Sequence, residues 1–99
     1  MKKEFKVIAE LLPSNVRVLD VGCGDGSLMT HLIEEKNIEA RGLELKKENI
    51  TKCIYKGLPV IEGNAETELH QFPDQSFDFV ILSQTLQAFY NPEKVLQDL

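Results

Sequence analysis

The sequence predicts an α/β fold: a parallel sheet with helices on both faces, in one small domain. Three observations carry this. Short apolar stretches of strand character alternate with segments of helical period. The order reads α-β-α-β-α-β-β-α, and helices between successive strands favour parallel pairing. The first strand runs through three glycines, Gly22, Gly24 and Gly26, straight into an amphipathic segment. Such a turn brings bare backbone close to a ligand at a helix N-terminus.

Residues 2–12 place Phe5, Ile8, Ala9 and Leu12 on one helical stripe, ended by Pro13 and the polar Ser14 and Asn15. Residues 16–21 are mostly apolar and read as a buried strand. Residues 27–36 put Leu28, Met29, Leu32 and Ile33 on one face, with Glu34, Glu35 and Lys36 opposite, so they read as a helix. Residues 38–44 form a second strand ending at Glu44. Ile50, Cys53, Ile54 and Gly57 continue a helical stripe, with Gly57 where a left-handed cap belongs. Residues 58–61 read as a third strand, whose Pro59 suits a strand start or an edge. Residues 63–76 are mostly polar and loop-like, and 77–82 (Phe-Asp-Phe-Val-Ile-Leu) make a fourth strand. Asn91-Pro92-Glu93 starts a helix, with Asn as N-cap and Pro at its first position.

A chain of 99 residues makes at most one domain with one thin core. Its formal net charge of -5 speaks against a nucleic-acid or anionic-membrane surface. No apolar run reaches the length of a membrane span. Charged residues interrupt any signal-peptide core at the N-terminus, so a cytoplasmic location is expected. Cys23 and Cys53 belong to no CxxC pair, which fits free thiols in a reducing compartment and no metal site. His31 and His70 are isolated and read as surface and loop residues. No Ser-His-Asp or Cys-His constellation stands out.

Two cofactor classes use a strand, a glycine turn and a helix. The dinucleotide fingerprint is G-x-G-x-x-G, and Gly22-x-Gly24-x-Gly26 followed by Ser27 fits it imperfectly. A bare tight turn would need glycine for geometry alone, but three glycines at period two before a helix exceed that need. The run Leu19-Asp20-Val21-Gly22-Cys23-Gly24-Asp25-Gly26 resembles motif I of class I S-adenosyl-L-methionine-dependent methyltransferases. That resemblance implies a Rossmann-like fold with strand order 3-2-1-4. It also implies cofactor contacts from Asp20, Gly22, Cys23 and Gly24. Glu44, at the end of the second strand, has the chemistry to accept hydrogen bonds from both hydroxyls of an adenosine ribose. Asp20 suits the cofactor's ammonium, or the ordering of the glycine loop through its amides. In the loop after the third strand, methyltransferases usually carry an acid for the adenine amino group. This chain has Asn64 there, followed by Ala65; an amide oxygen still accepts that bond, without charge assistance. Ser83, just past the fourth strand, lies beside the point where such sheets bind ligands.

Residues 17–26, Gly42-Leu43-Glu44, Glu48-Asn49-Ile50, Cys53-Ile54, residues 57–61 and above all Phe77-Asp-Phe-Val-Ile-Leu-Ser-Gln-Thr-Leu-Gln87 narrow the resemblance to the MetW-type methionine biosynthesis proteins. It covers about residues 14–99. It implies a methyltransferase-like protein that acts with homoserine O-acyltransferase. Three functions are open: methyl transfer to an acceptor, a partner or regulatory role beside the acyltransferase, and an inactive NAD- or nucleotide-binding fragment. The family's chain continues past the helix begun at Asn91. Residues 1–99 are therefore expected to be the N-terminal part of a single domain, with the fourth strand left as an exposed apolar edge.

Overall fold

The computed structural model describes residues 3–63, 77–82 and 87–89. Five strands, β1 (Arg17–Val21), β2 (Glu39–Glu44), β3 (Val60–Glu62), β4 (Phe79–Leu82) and β5 (Gln87–Phe89), form one sheet in the order β3-β2-β1-β4-β5. Three helices precede or join them: α1 (Lys3–Leu11), α2 (Ser27–Lys36) and α3 (Lys47–Tyr55). The first four strands pair in parallel, with Asp20 opposite Gly42 of β2 and Ile81 of β4.

Chain direction across the sheet explains where a ligand can sit. From β1 the chain steps through α2 to β2 and through α3 to β3, always the same way. β4 then lies on the opposite side of β1. Strand order therefore reverses between β1 and β4, and the crevice beyond their carboxyl ends is the ligand position of such sheets.

Alternation along each strand splits the core. Val18, Ala40, Phe79 and Ile81 face the helices and meet Ile8, Leu28, Met29 and Leu32. Leu19, Leu43 and Val80 face the other way and are equally buried. All three described helices lie on the first side. The helices expected on the second side, and the one expected from Asn91, are calls that lie outside the described residues.

Local chemistry holds the strand ends in place. Asn15 and Asn37 both adopt left-handed backbone (φ 64 and 52), which Asn tolerates. The Asn37 amide donates to the Asn15 side-chain oxygen at 2.6 Å, joining the turns that lead into β1 and β2. At the other border, Arg17 N–H donates to the Asp78 carboxylate at 2.9 Å, and Asp78 N–H donates back to the Arg17 carbonyl at 2.8 Å. α3 closes on a Schellman motif: Gly57 N–H reaches the Ile54 carbonyl and Leu58 N–H the Cys53 carbonyl, both at 2.9 Å, with Gly57 at φ 76.

Two expectations need correction. The α3 stripe does not include Ile54, which is 64% exposed, while Cys53 is fully buried. α3 is short and turns one narrow face to the sheet, and the residue one step round the helix misses it. Nor is β4 an open edge. β5 pairs with it antiparallel, Val80 opposite Phe89 and Leu82 opposite Gln87. An apolar strand with unpaired amides is satisfied by the nearest extended segment, and the sequence pattern alone did not mark residues 87–89 as one.

Candidate functional site

The site begins where β1 ends. Gly22, Gly24 and Gly26 sit at φ 73, 61 and 85, a region L side chains rarely adopt. The chain thus makes three left-handed steps in five residues and enters α2 at Ser27. Gly22 and Cys23 N–H both donate to the Leu43 carbonyl of β2, at 2.8 and 3.1 Å. Gly26 N–H closes a tight turn onto the Cys23 carbonyl at 3.2 Å. The Asp25 carboxylate, one residue before the Gly26 N-cap, holds the first residue of α2 by accepting from Ser27 N–H at 3.0 Å and Ser27 Oγ at 2.6 Å. The Ser27 hydroxyl is the main cause holding the Asp25 carboxyl below its ordinary range. Lys56 Nζ donates to the Asp25 carbonyl at 2.9 Å, fastening the loop to the end of α3.

The glycines are not equivalent. A Cβ on Gly26 would run into the Leu58 side chain and stand 3.1 Å from Cys53 Sγ. A Cβ on Gly24 would meet nothing within 4 Å. One glycine lets the loop pack down on the core; the other leaves bare backbone facing open space. Across the sheet, a Cβ on Gly42 would lie 2.6 Å from Cys23 Sγ and 2.8 Å from Met29 Cε. Gly42 therefore makes room for the loop to fold over β2.

Glu44 ends β2 and is only 7% exposed. Its Oε1 accepts from Gly24 N–H at 2.8 Å; its Oε2 accepts from Lys46 N–H at 3.0 Å and from the Asn49 amide at 3.5 Å. Burial alone would raise its pKa. The amides of Lys46 and Gly24 and the Asn49 side chain outweigh burial and hold the carboxyl below its usual value. A carboxylate offers about four acceptor positions; Gly24, Lys46 and Asn49 donate to it and the Leu45 amide acts on it as well, and the long Asn49 contact is the easiest to displace. The expectation that Glu44 takes two hydroxyls thus requires a partner to leave. Leu45, next in the chain, is 60% exposed beside this carboxylate, an apolar surface on which a planar ring could pack.

Asp20 is fully buried. Its charge and that of Glu44 both act on Cys23, although burial and the neighbouring Cys53 count for more in pushing that thiol's pKa up. Asp20, Gly22, Cys23, Gly24 and Glu44 come together at the carboxyl ends of β1 and β2. Asn64, Ala65 and Ser83 lie outside the described residues. Among the described residues no group of His, Cys, Asp and Glu is arranged to hold a metal, and no helix is long and apolar enough to cross a membrane. His31 lines a separate groove with Phe5 and Leu58 on the helical side.

Sequence reasoning missed Gly42, Asn49, Cys53 and Lys56 as supports of the loop. Gly42, Asn49 and Cys53 stand in the strings that carry the family resemblance, but only tertiary contact shows that they support the loop. Leu45 had a signal: an apolar residue directly after a strand-terminal acid, where a loop begins.

The residues present fit an adenosine-type cofactor: an ordered glycine turn with one face open, a carboxylate at the neighbouring strand end, and a sheet reversal between β1 and β4. Comparison with known proteins agrees. A family profile described as "Methionine biosynthesis protein MetW" matches residues 2–99. The bifunctional methionine biosynthesis protein MetXA/MetW of Rhodopirellula baltica is 32% identical over 100 residues, covering 93% of this chain and 16% of that protein. Ajmaline N-methyltransferase of Rauvolfia serpentina is 27% identical, over 97% of this chain and 34% of the enzyme. Among solved structures, a SAM-dependent methyltransferase from Archaeoglobus fulgidus superposes with a TM-score of 0.62 at 30% identity, over 80% of this chain and 38% of that one. The chain therefore spans well under half the length of each of these relatives.

Proposed function

The chain belongs to the MetW family of methionine biosynthesis proteins and has a methyltransferase-like fold, and from this premise we propose that its glycine loop and Glu44 bind S-adenosyl-L-methionine. The observation that carries the proposal is the joint geometry of Gly24 and Glu44. Gly24 offers a face with nothing within 4 Å of a would-be Cβ, and its amide is held by the carboxylate expected to meet the ribose. Glu44 accepts the ribose hydroxyls, one of them where the long Asn49 contact withdraws. Leu45 supports the adenine ring. The Gly22–Gly26 backbone lines the cofactor's amino-acid end, with Asp20 ordering that loop from beneath. Asn64 and Ala65, after β3, and Ser83, after β4, complete the site on the adenine and switch-point sides.

Bound S-adenosyl-L-methionine supplies an electrophilic methyl group on a sulfonium. The protein's part is to exclude water and align an acceptor in line with that methyl. On this reading the protein is cytoplasmic and residues 1–99 are the N-terminal part of one domain; that the chain covers 38% of the Archaeoglobus fulgidus structure supports the second point.

A second reading, a partner role beside homoserine O-acyltransferase, is favoured by a specific observation. The Rhodopirellula baltica relative carries MetXA and MetW in one bifunctional protein. Binding of S-adenosyl-L-methionine serves both readings, as substrate in one and as an end-product signal in the other.

Isothermal titration with S-adenosyl-L-methionine and S-adenosyl-L-homocysteine tests the proposal. Binding by the wild-type chain that Glu44→Ala abolishes supports it. A folded wild-type chain that binds neither, or prefers NAD, refutes it. Mixing with the acyltransferase, with co-purification and acyltransferase activity as readouts, decides the partner role.

A further inference from the structure

Beneath the glycine loop lie two thiols that the proposed chemistry does not use. Cys53 Sγ, on α3, sits 3.4 Å from the Gly24 carbonyl, and Cys23 Sγ sits 3.8 Å from the same oxygen. Both act as donors to it. The two sulfurs therefore meet at one oxygen, and each acts on the other's titration. Both side chains are buried and neither is in a disulfide. They are thirty positions apart in the chain, and one is in the loop while the other is in the helix under it. A bond between them would alter the one carbonyl that anchors the open face of the site.

We propose that Cys23 and Cys53 are an oxidisable pair whose disulfide unfastens the glycine loop and weakens cofactor binding; this regulation of the site rests on the function proposed above. The oxidant is a hydroperoxide. Cys53 is the initial nucleophile. Burial raises the pKa of both thiols and nearby carboxylates add to it, but at Cys53 the Cys23 side chain and the Lys56 charge act the other way, whereas at Cys23 every influence favours the protonated form. The Cys53 thiol gives up its proton and the thiolate attacks the terminal peroxide oxygen; the O–O bond breaks, Cys53–S–OH forms, and the departing oxygen takes that proton to leave as an alcohol, or as water when the oxidant is hydrogen peroxide. The Cys23 sulfur then attacks the sulfenic sulfur, loses its proton and expels water. Two sulfurs each give up one electron, and the O–O bond accepts both.

The structural consequence follows from the donors. A disulfide has no S–H, so the Gly24 carbonyl loses both thiol donors. The sulfurs also draw to bonding distance, about 2.05 Å, pulling Cys23 toward α3 and away from its place against Gly42. Loss of two modest hydrogen bonds at the site corresponds to about tenfold weaker binding. Thiol reductants restore the original state.

The test treats the purified chain with hydrogen peroxide, alkylates remaining thiols and maps peptides by mass spectrometry. Titration with S-adenosyl-L-homocysteine follows before oxidation, after it, and after dithiothreitol. The expected result is a Cys23–Cys53 cross-linked peptide, binding weakened about tenfold and recovery on reduction. The absence of that peptide overturns the proposal, as does a mapped disulfide with unchanged affinity. Cys53→Ala should bind equally before and after peroxide, and a peroxide response in that variant also overturns it. Should Cys53→Ala fail to fold, the wild-type map and titrations still decide. A reduced wild-type chain that does not bind at all refutes the cofactor reading and the regulation built on it, while the peptide map separately decides whether the bridge forms.

Discussion

Replacing Glu44 by Ala removes the link between the glycine loop and β2, and the size of the effect can be worked out. Two short bonds reach its carboxylate, from Gly24 N–H at 2.8 Å and Lys46 N–H at 3.0 Å; the Asn49 contact at 3.5 Å is too long to contribute much. Hydrogen bonds to a charged group contribute about 1.5–3 kcal/mol each. Desolvation of a carboxylate that is 7% exposed offsets part of this, and the freed amides regain some water. We expect a loss of about 3 kcal/mol from a total of about 5–15 kcal/mol. The pH dependence gives a second, independent check. Burial tends to raise the Glu44 pKa, and the Lys46, Gly24 and Asn49 donors more than reverse this, so the folded carboxyl titrates below the unfolded one. Such a group contributes stability that is fully present above the unfolded pKa of about 4.3 and is lost as pH falls through the folded value. The stability difference between wild type and Glu44→Gln should therefore be largest at neutral pH and shrink below about pH 4. Urea unfolding followed by circular dichroism measures both quantities. A Glu44→Ala chain within about 0.5 kcal/mol of wild type, the scatter of a plain surface change, refutes the reasoning. So does a wild-type-to-Gln difference that is flat across the acid range.

Gly26→Ala combines left-handed backbone with a Cβ driven into Leu58 and Cys53, and should cost about 3 kcal/mol by thermal or urea unfolding. Gly24→Ala has the same backbone problem and free space; it should cost only about 1 kcal/mol yet abolish cofactor binding measured by titration, because its methyl occupies the open face. Gly42→Ala, without backbone strain, should cost about 2 kcal/mol through its contacts with Cys23 and Met29, and a stability equal to wild type would show that the loop has slack. Asp78→Asn should cost less than about 1 kcal/mol, since the ion pair with Arg17 is roughly half exposed on both sides, and high salt should erase the difference.

What could be read from sequence divides along a physical line. Signals that repeat along the chain were legible. The stripe Ile8, Ala9, Leu12 is buried as its spacing requires, and Leu28, Met29 and Leu32 likewise. So was Gly57, because a glycine after a helical stripe has one common use, and the Schellman bonds to Cys53 and Ile54 bear it out. Glu44, read as the end of the second strand, does end β2. Contacts set by three-dimensional approach were not legible. Nothing in the spacing of Gly42 and Cys23 says that one makes room for the other, and Ile54 looks core-facing until the narrow face of α3 is known. β5 escaped because three residues, Gln-Ala-Phe, carry too little period to distinguish a strand from a loop.

The loop's fasteners bear on how the site would bind. Three glycines in left-handed backbone have high conformational freedom when unfolded, so the loop is expensive to order. In this fold the ordering is already done: the Leu43 carbonyl takes two loop amides, Asp25 holds the first residue of α2, Lys56 holds the Asp25 carbonyl, and Glu44 holds Gly24. A ligand meeting a loop in this state avoids that entropic cost, which is the advantage of preorganisation. Yet the carboxylate that holds the loop is also the one proposed to receive the ribose. The third donor on it, Asn49, comes from the first turn of α3. A second ribose hydroxyl must take the position Asn49 occupies. Binding should therefore tighten the Glu44–Gly24 side while freeing the first turn of α3, and backbone amide exchange of residues 47–50 should speed up when S-adenosyl-L-homocysteine is added, while that of residues 22–26 slows. Slower exchange in both segments would show that the ribose is held without displacing Asn49, and that Glu44 contributes a single acceptor position.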